Sequence, residues 1–156
     1  MQAALLSDAK DRDKACIHAS CVSVAGRGML AIGASGTGKS GLILQMMAYG
    51  AELVADDRVT LEMRGDQIFA SAVPQIRGLI EARHIGLLMA RTTGAVPLDY
   101  VVDLDQSEPK RLPEQVTVQV LRQTVPLLRG AGVPNLAAAL MQLLRDGRVN
   151  PEWPTT

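Results

Sequence analysis

The 156 residues carry 16 basic and 16 acidic side chains, so the net charge is zero and no bulk field favours nucleic acid or an anionic membrane as a partner. Apolar residues make up 47% of the chain, which suffices for one hydrophobic core and excludes a disordered chain. Length and composition therefore predict a single catalytic or binding domain that spans residues 1–156.

Residues 1–14 predict a loosely held, flexible end rather than a targeting segment. The apolar stretch at residues 1–6 is too short for a signal peptide, and charged residues follow it at once. We therefore expect a soluble, cytosolic (cytoplasmic) protein. Cys16 and Cys21 have no metal-ligand spacing and are interpreted as reduced, mostly buried residues.

The next segment predicts a hairpin that leads into a glycine-rich loop. Residues 16–26 are rich in small and β-branched side chains, which favours a strand. A short apolar run at residues 29–32 follows the turn Gly26-Arg27-Gly28 and predicts a second strand. Beyond the loop, the apolar run at residues 42–48, closed by Gly50, predicts a helix.

The loop matches the phosphate-binding pattern G-x-x-x-x-G-K-[ST] at every fixed position. It consists of Gly33, Ala34, Ser35, Gly36, Thr37, Gly38, Lys39 and Ser40. Glycines let backbone N–H groups surround crowded phosphate oxygens, and the following helix N-terminus adds partial positive charge. In this pattern the lysine contacts the β- and γ-phosphates and the serine hydroxyl contacts Mg²⁺. Because both the strand and the helix that the motif requires are predicted, we expect a polyphosphate site.

Two acidic residues, Asp56 and Asp57, end the strand predicted at residues 51–55. A carboxylate at this place can hold Mg²⁺ or take a proton from an attacking hydroxyl, whereas the structural alternative is a surface turn. Adjacent residues on a strand point to opposite sides, so the two carboxylates should have different roles. The residues alone do not say which carboxylate faces the phosphates.

The remainder of the chain predicts more strands than helices. Residues 58–63 and 67–72 predict a hairpin, residues 98–104 and 116–121 two further strands, and residues 106–113 a polar connection. Pro134 and Gly147 bound a predicted helix at residues 135–145. Residues 76–88 show no clear period and receive no assignment. The predicted fold class is α/β, a P-loop kinase-like core with a mixed or antiparallel sheet and few helices.

Four other polar side chains permit both a functional and an ordinary interpretation. Glu81 and Arg83 are two residues apart and could add a metal ligand and a cation to a phosphoryl-transfer site, or form a surface ion pair. His18 lies on the strand before the loop, where a lone histidine is more often a core or hydrogen-bonding residue than a catalytic one. Arg111 in the polar connection is by itself an ordinary solvated charge.

His18, the glycine-rich loop, residues 52–59 and residues 77–83 together resemble the C-terminal catalytic domain of the HPr kinase/phosphorylase family. The match is colinear over most of residues 16–145, and its most specific parts are Val-Ala-Asp-Asp at residues 54–57 and Glu-x-Arg at residues 81–83. The resemblance implies an enzyme that transfers a phosphoryl group from ATP or pyrophosphate to a serine of the phosphocarrier protein HPr. In the reverse direction phosphate attacks the phosphoserine and pyrophosphate is released. A homo-oligomer, a hexamer, is also implied.

The resemblance assigns the phosphate and metal sites to residues of this chain. Lys39 and the loop amides hold the phosphates, Ser40 and Glu81 are the implied Mg²⁺ ligands, and Asp56 supports either the metal or the base. Asp57 is implied as the base toward the serine hydroxyl and as the acid in the reverse reaction.

The same resemblance places other residues around the transferring phosphoryl group. His18 and Arg83 line its site, Arg111 corresponds to a catalytic arginine, and residues 126–130 fall near a loop tied to phosphorolysis. His84 departs from the family, which usually has glycine there. We expect a short version of the family, without the N-terminal domain that many members carry and without most of the long C-terminal helices.

Two other classes of function stay open on the sequence. One is a small-molecule kinase or a phosphoenolpyruvate carboxykinase-like enzyme. The other is a nucleotide-sensing module that retains the phosphate site without catalysing transfer.

Overall fold

The computed structural model describes residue 6 and residues 11–149 of the chain. Two helices, α1 (Lys39–Ala48) and α2 (Leu136–Asp146), and a 3₁₀ turn at Pro74–Ile76 lie in the described part. The strands there are β1 (Lys14–His18), β2 (Ser20–Val24), β3 (Arg27–Ile32), β4 (Glu52–Ala55), β5 (Arg58–Arg64), β6 (Gln67–Ala72), β7 (Leu79–Ala82), β8 (Gly86–Met89), β9 (Val96–Asp103), β10 (Val116–Val120) and β11 (Gln123–Arg129). No helix of the described part is long and apolar enough to cross a membrane.

Nine of the described strands form one sheet in the order β1-β5-β6-β9-β3-β2-β4, with β11 beside β9 and β10 beside β11. β9 runs parallel to both β3 and β11, and the other pairings in the sheet are antiparallel. β7 and β8 form a separate hairpin. The prediction of an α/β fold with a mixed sheet and few helices is therefore confirmed.

β3 is buried on both faces and separates two hydrophobic clusters. Leu30 and Ile32 point into the cluster enclosed by the curled sheet, whereas Met29 and Ala31 point into the cluster beneath α1 and α2. Such a strand has no polar face, so its sequence is a continuous apolar run that can be recognised without alternation. This strand delivers the chain into the glycine-rich loop.

The segment predicted as one strand at residues 16–26 forms two. β1 pairs with β5, whereas β2 pairs with β3 and β4, and Ala19 separates the two. The chain passes between two parts of the sheet without reversing, so no turn residue marks the break. Cys16 on β1 is exposed, which corrects the prediction that both cysteines are mostly buried; Cys21 on β2 is buried.

The structure describes residue 6 and residues 11–14 of the segment predicted as a flexible end. Leu6 is buried in the cluster enclosed by the sheet, and the backbone oxygen of Asp13 accepts a hydrogen bond from Met63 at 2.8 Å. Lys14 already belongs to β1. The rest of that prediction, residues 1–5 and 7–10, lies outside the described residues.

β11 is a strand that sequence reasoning did not predict, because Pro126 interrupts it. Proline cannot donate to a ladder on its N–H side. Here β11 pairs with β9 only at residues 127–129, so Pro126 lies beside β10 alone. The pairing with β9 therefore requires no N–H donor at residue 126. The segment at residues 126–130 is therefore mostly strand, and the loop begins at Gly130.

Residues 76–88, left without an assignment, contain β7 and all but the last residue of β8, which together form a hairpin. The hairpin carries exposed apolar side chains at Ile85, Leu87 and Met89, while its inner residue Ile80 is buried under α1. Because apolar side chains occur on both faces, neither a helical nor a strand period is visible in the sequence.

Gly28 allows the close approach of β3 and β9. A Cβ atom at this position would lie 2.6 Å from the backbone oxygen of Pro97 and 2.8 Å from Cγ2 of Val96. We therefore expect Gly28→Ala to lower the free energy of unfolding by about 1–3 kcal/mol, measured by urea denaturation. Gly94→Ala is the control, because a Cβ atom there would have no neighbour within 4 Å. Equal midpoints for the two variants would contradict the expectation.

Candidate active site

The glycine-rich loop connects β3 to α1 and is closed by its own hydrogen bonds. Thr37 donates to the backbone oxygen of Ala34 from both its hydroxyl, at 2.7 Å, and its N–H, at 3.2 Å. Gly33 has φ 150°, and a Cβ atom there would lie 2.6 Å from Oγ1 of Thr37, so only glycine fits. α1 begins at Lys39, earlier than predicted, so the loop's last two residues lie in the first helical turn, where backbone N–H groups lack helical partners.

Lys39 lies inside the loop with only 7% of its surface exposed. Its Nζ donates to the backbone oxygens of Gly33, at 2.7 Å, and Ala34, at 3.1 Å. A lysine ammonium has three protons, so one remains for an anion in the loop. Both protein partners are uncharged carbonyls, which leaves the positive charge available to a phosphate.

Asp56 is a buried acceptor that joins four elements. Its Oδ1 accepts hydrogen bonds from the hydroxyls of Ser20 on β2, at 2.6 Å, and Ser40 on α1, at 2.8 Å. Its Oδ2 accepts the N–H of Glu81 on β7 at 3.2 Å. Sequence reasoning missed Ser20, since a serine in an apolar strand carries no motif.

Asp57 has a different environment from its neighbour. Its side chain is 66% exposed, and its Oδ1 is hydrogen-bonded to Nε2 of His18 at 3.0 Å. The backbone of Asp57 has φ 70°, a left-handed conformation that costs an L-residue about 1–2 kcal/mol. The two adjacent carboxylates thus have distinct partners, with Asp56 oriented toward the loop serine and Asp57 toward the histidine.

A cavity of about 600 Å³ brings most of the predicted site residues together. Its charged and polar lining includes His18, Lys39, Ser40, Asp57, Glu81 and Arg83. Glu81 on β7 and Arg83 in the turn that follows β7 both line it. Arg111 does not: it is exposed and lines another groove, with Glu108 and Pro113.

The described residues fit a magnesium ion that is held jointly by protein and phosphate. No group of three or more His, Cys, Asp or Glu side chains converges into a metal cage within the described part of the chain. Mg²⁺ usually keeps several waters and binds one or two protein oxygens together with substrate phosphates, so it needs no such cage. The Ser40 hydroxyl donates its proton to Asp56, which leaves its lone pairs for a metal.

A polar network at the end of β9 holds the start of the loop. The N–H of Ala34 lies 3.1 Å from both carboxylate oxygens of Asp105, and the N–H of Asp105 donates to Oδ1 of Asp103 at 2.9 Å. Gln106 donates to the other oxygen of Asp103 at 2.6 Å and accepts from Arg129 at 3.1 Å. Sequence reasoning missed this network, because only the parallel pairing of β3 with β9 brings it to the loop.

Two ionisable groups that lie outside the cavity have pKa values shifted by burial. Burial raises the pKa of the Cys21 thiol to about 12, so this residue is a neutral part of the core. Burial also raises the pKa of Asp99, with a smaller opposing effect from Arg27. Neither group belongs to the cavity lining.

Comparison of the sequence with known proteins identifies one family. The sequence model of the HPr Serine kinase C-terminal domain matches residues 12–123. The chain belongs to this family. The HPr kinase/phosphorylase from Exiguobacterium sp. is 34% identical over 125 residues, which is 72% of this chain and 40% of that protein. The HPr kinase/phosphorylase from Azoarcus sp. is 32% identical over 153 residues, 86% of this chain and 48% of that protein.

The fold has a counterpart among solved structures of the HPr kinase family. The structure of the Hpr(Ser) kinase/phosphatase from Coxiella burnetii matches with a TM-score of 0.71 at 22% identity, over 84% of this chain and 88% of that chain. At this identity the likeness supports the fold. The chain spans less than half the length of the curated relatives quoted above.

Membership in the HPr kinase family gives His84 a physical interpretation. The backbone at His84 has φ 70°, a conformation that glycine adopts without strain. The side chain is exposed and is absent from the residues that line the cavity. A histidine at this position therefore costs backbone strain in a hairpin turn and takes no space in the cavity.

Proposed function

We propose that the chain transfers a phosphoryl group from ATP or pyrophosphate to a serine hydroxyl of HPr or an HPr-like phosphocarrier, and that it also catalyses the reverse phosphorolysis. The observation that carries the proposal is the single cavity lined by Lys39, Ser40 and Asp57, with Asp56 bonded to Ser40. The names of the relatives support HPr as the substrate.

The loop and the cations around it would hold the phosphates. Lys39 has one proton left for a phosphate oxygen, and the first turn of α1 presents free N–H groups beside it. Arg83 lines the same cavity from the end of β7 and adds a second positive charge. Catalysis of phosphoryl transfer is mainly positioning and electrostatic stabilisation, which this arrangement supplies.

Asp57 and His18 would manage the proton of the serine hydroxyl. With Oδ1 held by His18, Oδ2 of Asp57 accepts the hydroxyl proton as the new O–P bond forms and the bond to the leaving phosphate breaks. In the reverse direction the protonated carboxyl returns that proton to the serine oxygen, while phosphate takes the phosphoryl group and becomes pyrophosphate.

Ser40 would contact Mg²⁺ directly, with Asp56 orienting its hydroxyl and Glu81 lining the same cavity as a further acidic ligand. When bound, the ion neutralises charge on the phosphates. The resemblance adds Arg111 as a catalytic residue, although it is exposed and lines a groove other than this cavity.

The proposal extends to the surroundings of the enzyme. Further copies of the chain in a homo-oligomer, a hexamer by resemblance, are proposed as partners besides HPr. Two free cysteines agree with a reducing, cytoplasmic setting.

A transfer assay in both directions tests the proposal. Labelled ATP or labelled pyrophosphate is incubated with HPr and Mg²⁺, and we expect label on the serine of HPr. Unlabelled phosphate added to the product should then release pyrophosphate. Donor binding without any labelled HPr would favour a nucleotide-sensing module instead, and release of free phosphate alone would refute the phosphorylase direction.

A further inference from the structure

A second groove lies beside the phosphate loop and shares a wall with the catalytic cavity. Its volume is about 790 Å³, within the range of small-molecule sites. Gly38 and Gly41 line both the groove and the cavity, so a ligand can occupy both by passing over the start of α1. The groove is thus continuous with the place where the proposed function puts the phosphates.

The lining of the groove is neutral. Among the described residues that line it there is no Asp, Glu, Lys, Arg or His. Amide side chains are offered by Gln45 and Asn135, and apolar contacts by Leu42, Leu104 and Leu136. This chemistry suits an uncharged, partly apolar group that carries hydrogen-bonding atoms, and it offers no counter-ion to a second phosphate or to an acidic peptide.

The topology places three loops around the groove. β3, β9 and β11 run parallel, so the loops that follow them emerge at one edge of the sheet, where ligands bind in open α/β sheets. The phosphate loop follows β3, the loop that begins at Leu104 follows β9, and the loop from Gly130 to α2 follows β11. Gly130 packs tightly, since a Cβ atom there would lie 2.8 Å from Cγ2 of Val102.

α1 supplies a wall that leads away from the phosphates. Gly38, Gly41, Gln45 and Tyr49 lie on one side of the helix and line the groove. Gln45 is about 10 Å along the axis from Gly38, at 1.5 Å per residue. Tyr49 lies one further turn away and is 55% exposed, which leaves part of its ring available for stacking on a planar base.

We propose that this groove binds the nucleoside of a nucleoside triphosphate donor whose phosphates occupy the loop. This inference rests on the proposed function, because it assumes that the loop holds the donor. It separates the two donor classes: ATP would use the groove and the loop, whereas pyrophosphate, which has no nucleoside, would use the loop alone.

The test measures the dissociation constants of ATP and pyrophosphate, each with Mg²⁺, by calorimetry. Ala138 and Ala139 are neighbouring exposed residues on α2, but only Ala138 lines the groove, whereas Ala139 lines a different one. We expect Ala138→Phe to raise the dissociation constant for ATP by about tenfold or more and to leave that for pyrophosphate within about twofold. Ala139→Phe is the matched control and should change neither constant.

Tyr49→Ala gives a second measurement that does not depend on filling the groove. It should raise the dissociation constant for ATP by about tenfold, because stacking on the base is lost, and leave the dissociation constant for pyrophosphate unchanged. An unchanged ratio of the two constants in both variants, or an equal loss for both donors, would overturn the groove assignment. Binding is measured without transfer. If the wild type failed to label HPr while the two variants still lost affinity for ATP alone, only the proposed reaction would be refuted.

Discussion

Replacement of Lys39 by alanine is expected to lower the rate of phosphoryl transfer to HPr by about 10²–10³-fold, with either donor. The ammonium donates two of its hydrogen bonds to the carbonyls of Gly33 and Ala34, so its third proton is available to a phosphate oxygen. Removing it leaves the developing charge of the transferring group unbalanced. The rate is measured under single-turnover conditions, and binding of pyrophosphate is measured in parallel, where we expect weaker affinity.

Stability separates this effect from a loss of structure. The two carbonyls lose one hydrogen bond each, and Ala34 keeps those from Thr37, so the free energy of unfolding should fall by about 1–3 kcal/mol. Lys14→Ala, which removes a lysine from an exposed pair with Glu62, is the control and should retain the wild-type rate. Equal turnover by Lys39→Ala and Lys14→Ala would refute the assignment of the loop as the donor site.

Asp57→Asn is expected to reduce transfer by about 10²–10⁴-fold in both directions while donor affinity stays close to that of the wild type. Asparagine keeps the size of the side chain and an oxygen for the hydrogen bond to His18, but it cannot take a proton from serine. The same group serves as base in one direction and acid in the other, so both rates must fall together. Rates are compared with labelled HPr as product and as substrate.

Asp66→Asn is the control for that substitution, because Asp66 is exposed in the turn between β5 and β6. It should leave both rates and both affinities unchanged. If Asp57→Asn lost donor affinity and not rate, Asp57 would be a phosphate or metal residue and the acid–base role would be wrong.

The parts of the fold and of the site that the sequence predicted are those formed by residues close together along the chain. The loop between β3 and α1 is defined by local spacing, and the hairpin of β5 and β6 by the turn at Gly65 with its φ of 63°. Such features depend on neighbours along the chain, so a pattern of residue types identifies them. His18, Asp57, Glu81 and Arg83 line one cavity, and the roles assigned to them remain predictions.

The parts that sequence did not predict depend on pairing between distant strands. Ser20 reaches Asp56 across 36 positions, and Ala34 reaches Asp105 across 71. Neither contact follows from spacing, because it requires β2 beside β4 and β3 beside β9. The sequence also left open which carboxylate faces the loop, because the partners of Asp56 on β2, α1 and β7 come from separate parts of the chain.

The anchoring of Ala34 by Asp105 has a consequence for the choice of donor. With Ala34, Thr37 and Lys39 already bonded to the protein, the loop is preorganised, and the entropy of ordering it is lost during folding rather than when a ligand arrives. Little binding energy is then consumed in shaping the site. We therefore expect an anion as small as pyrophosphate, which has few atoms to contribute contacts, to bind the loop without a large ordering cost.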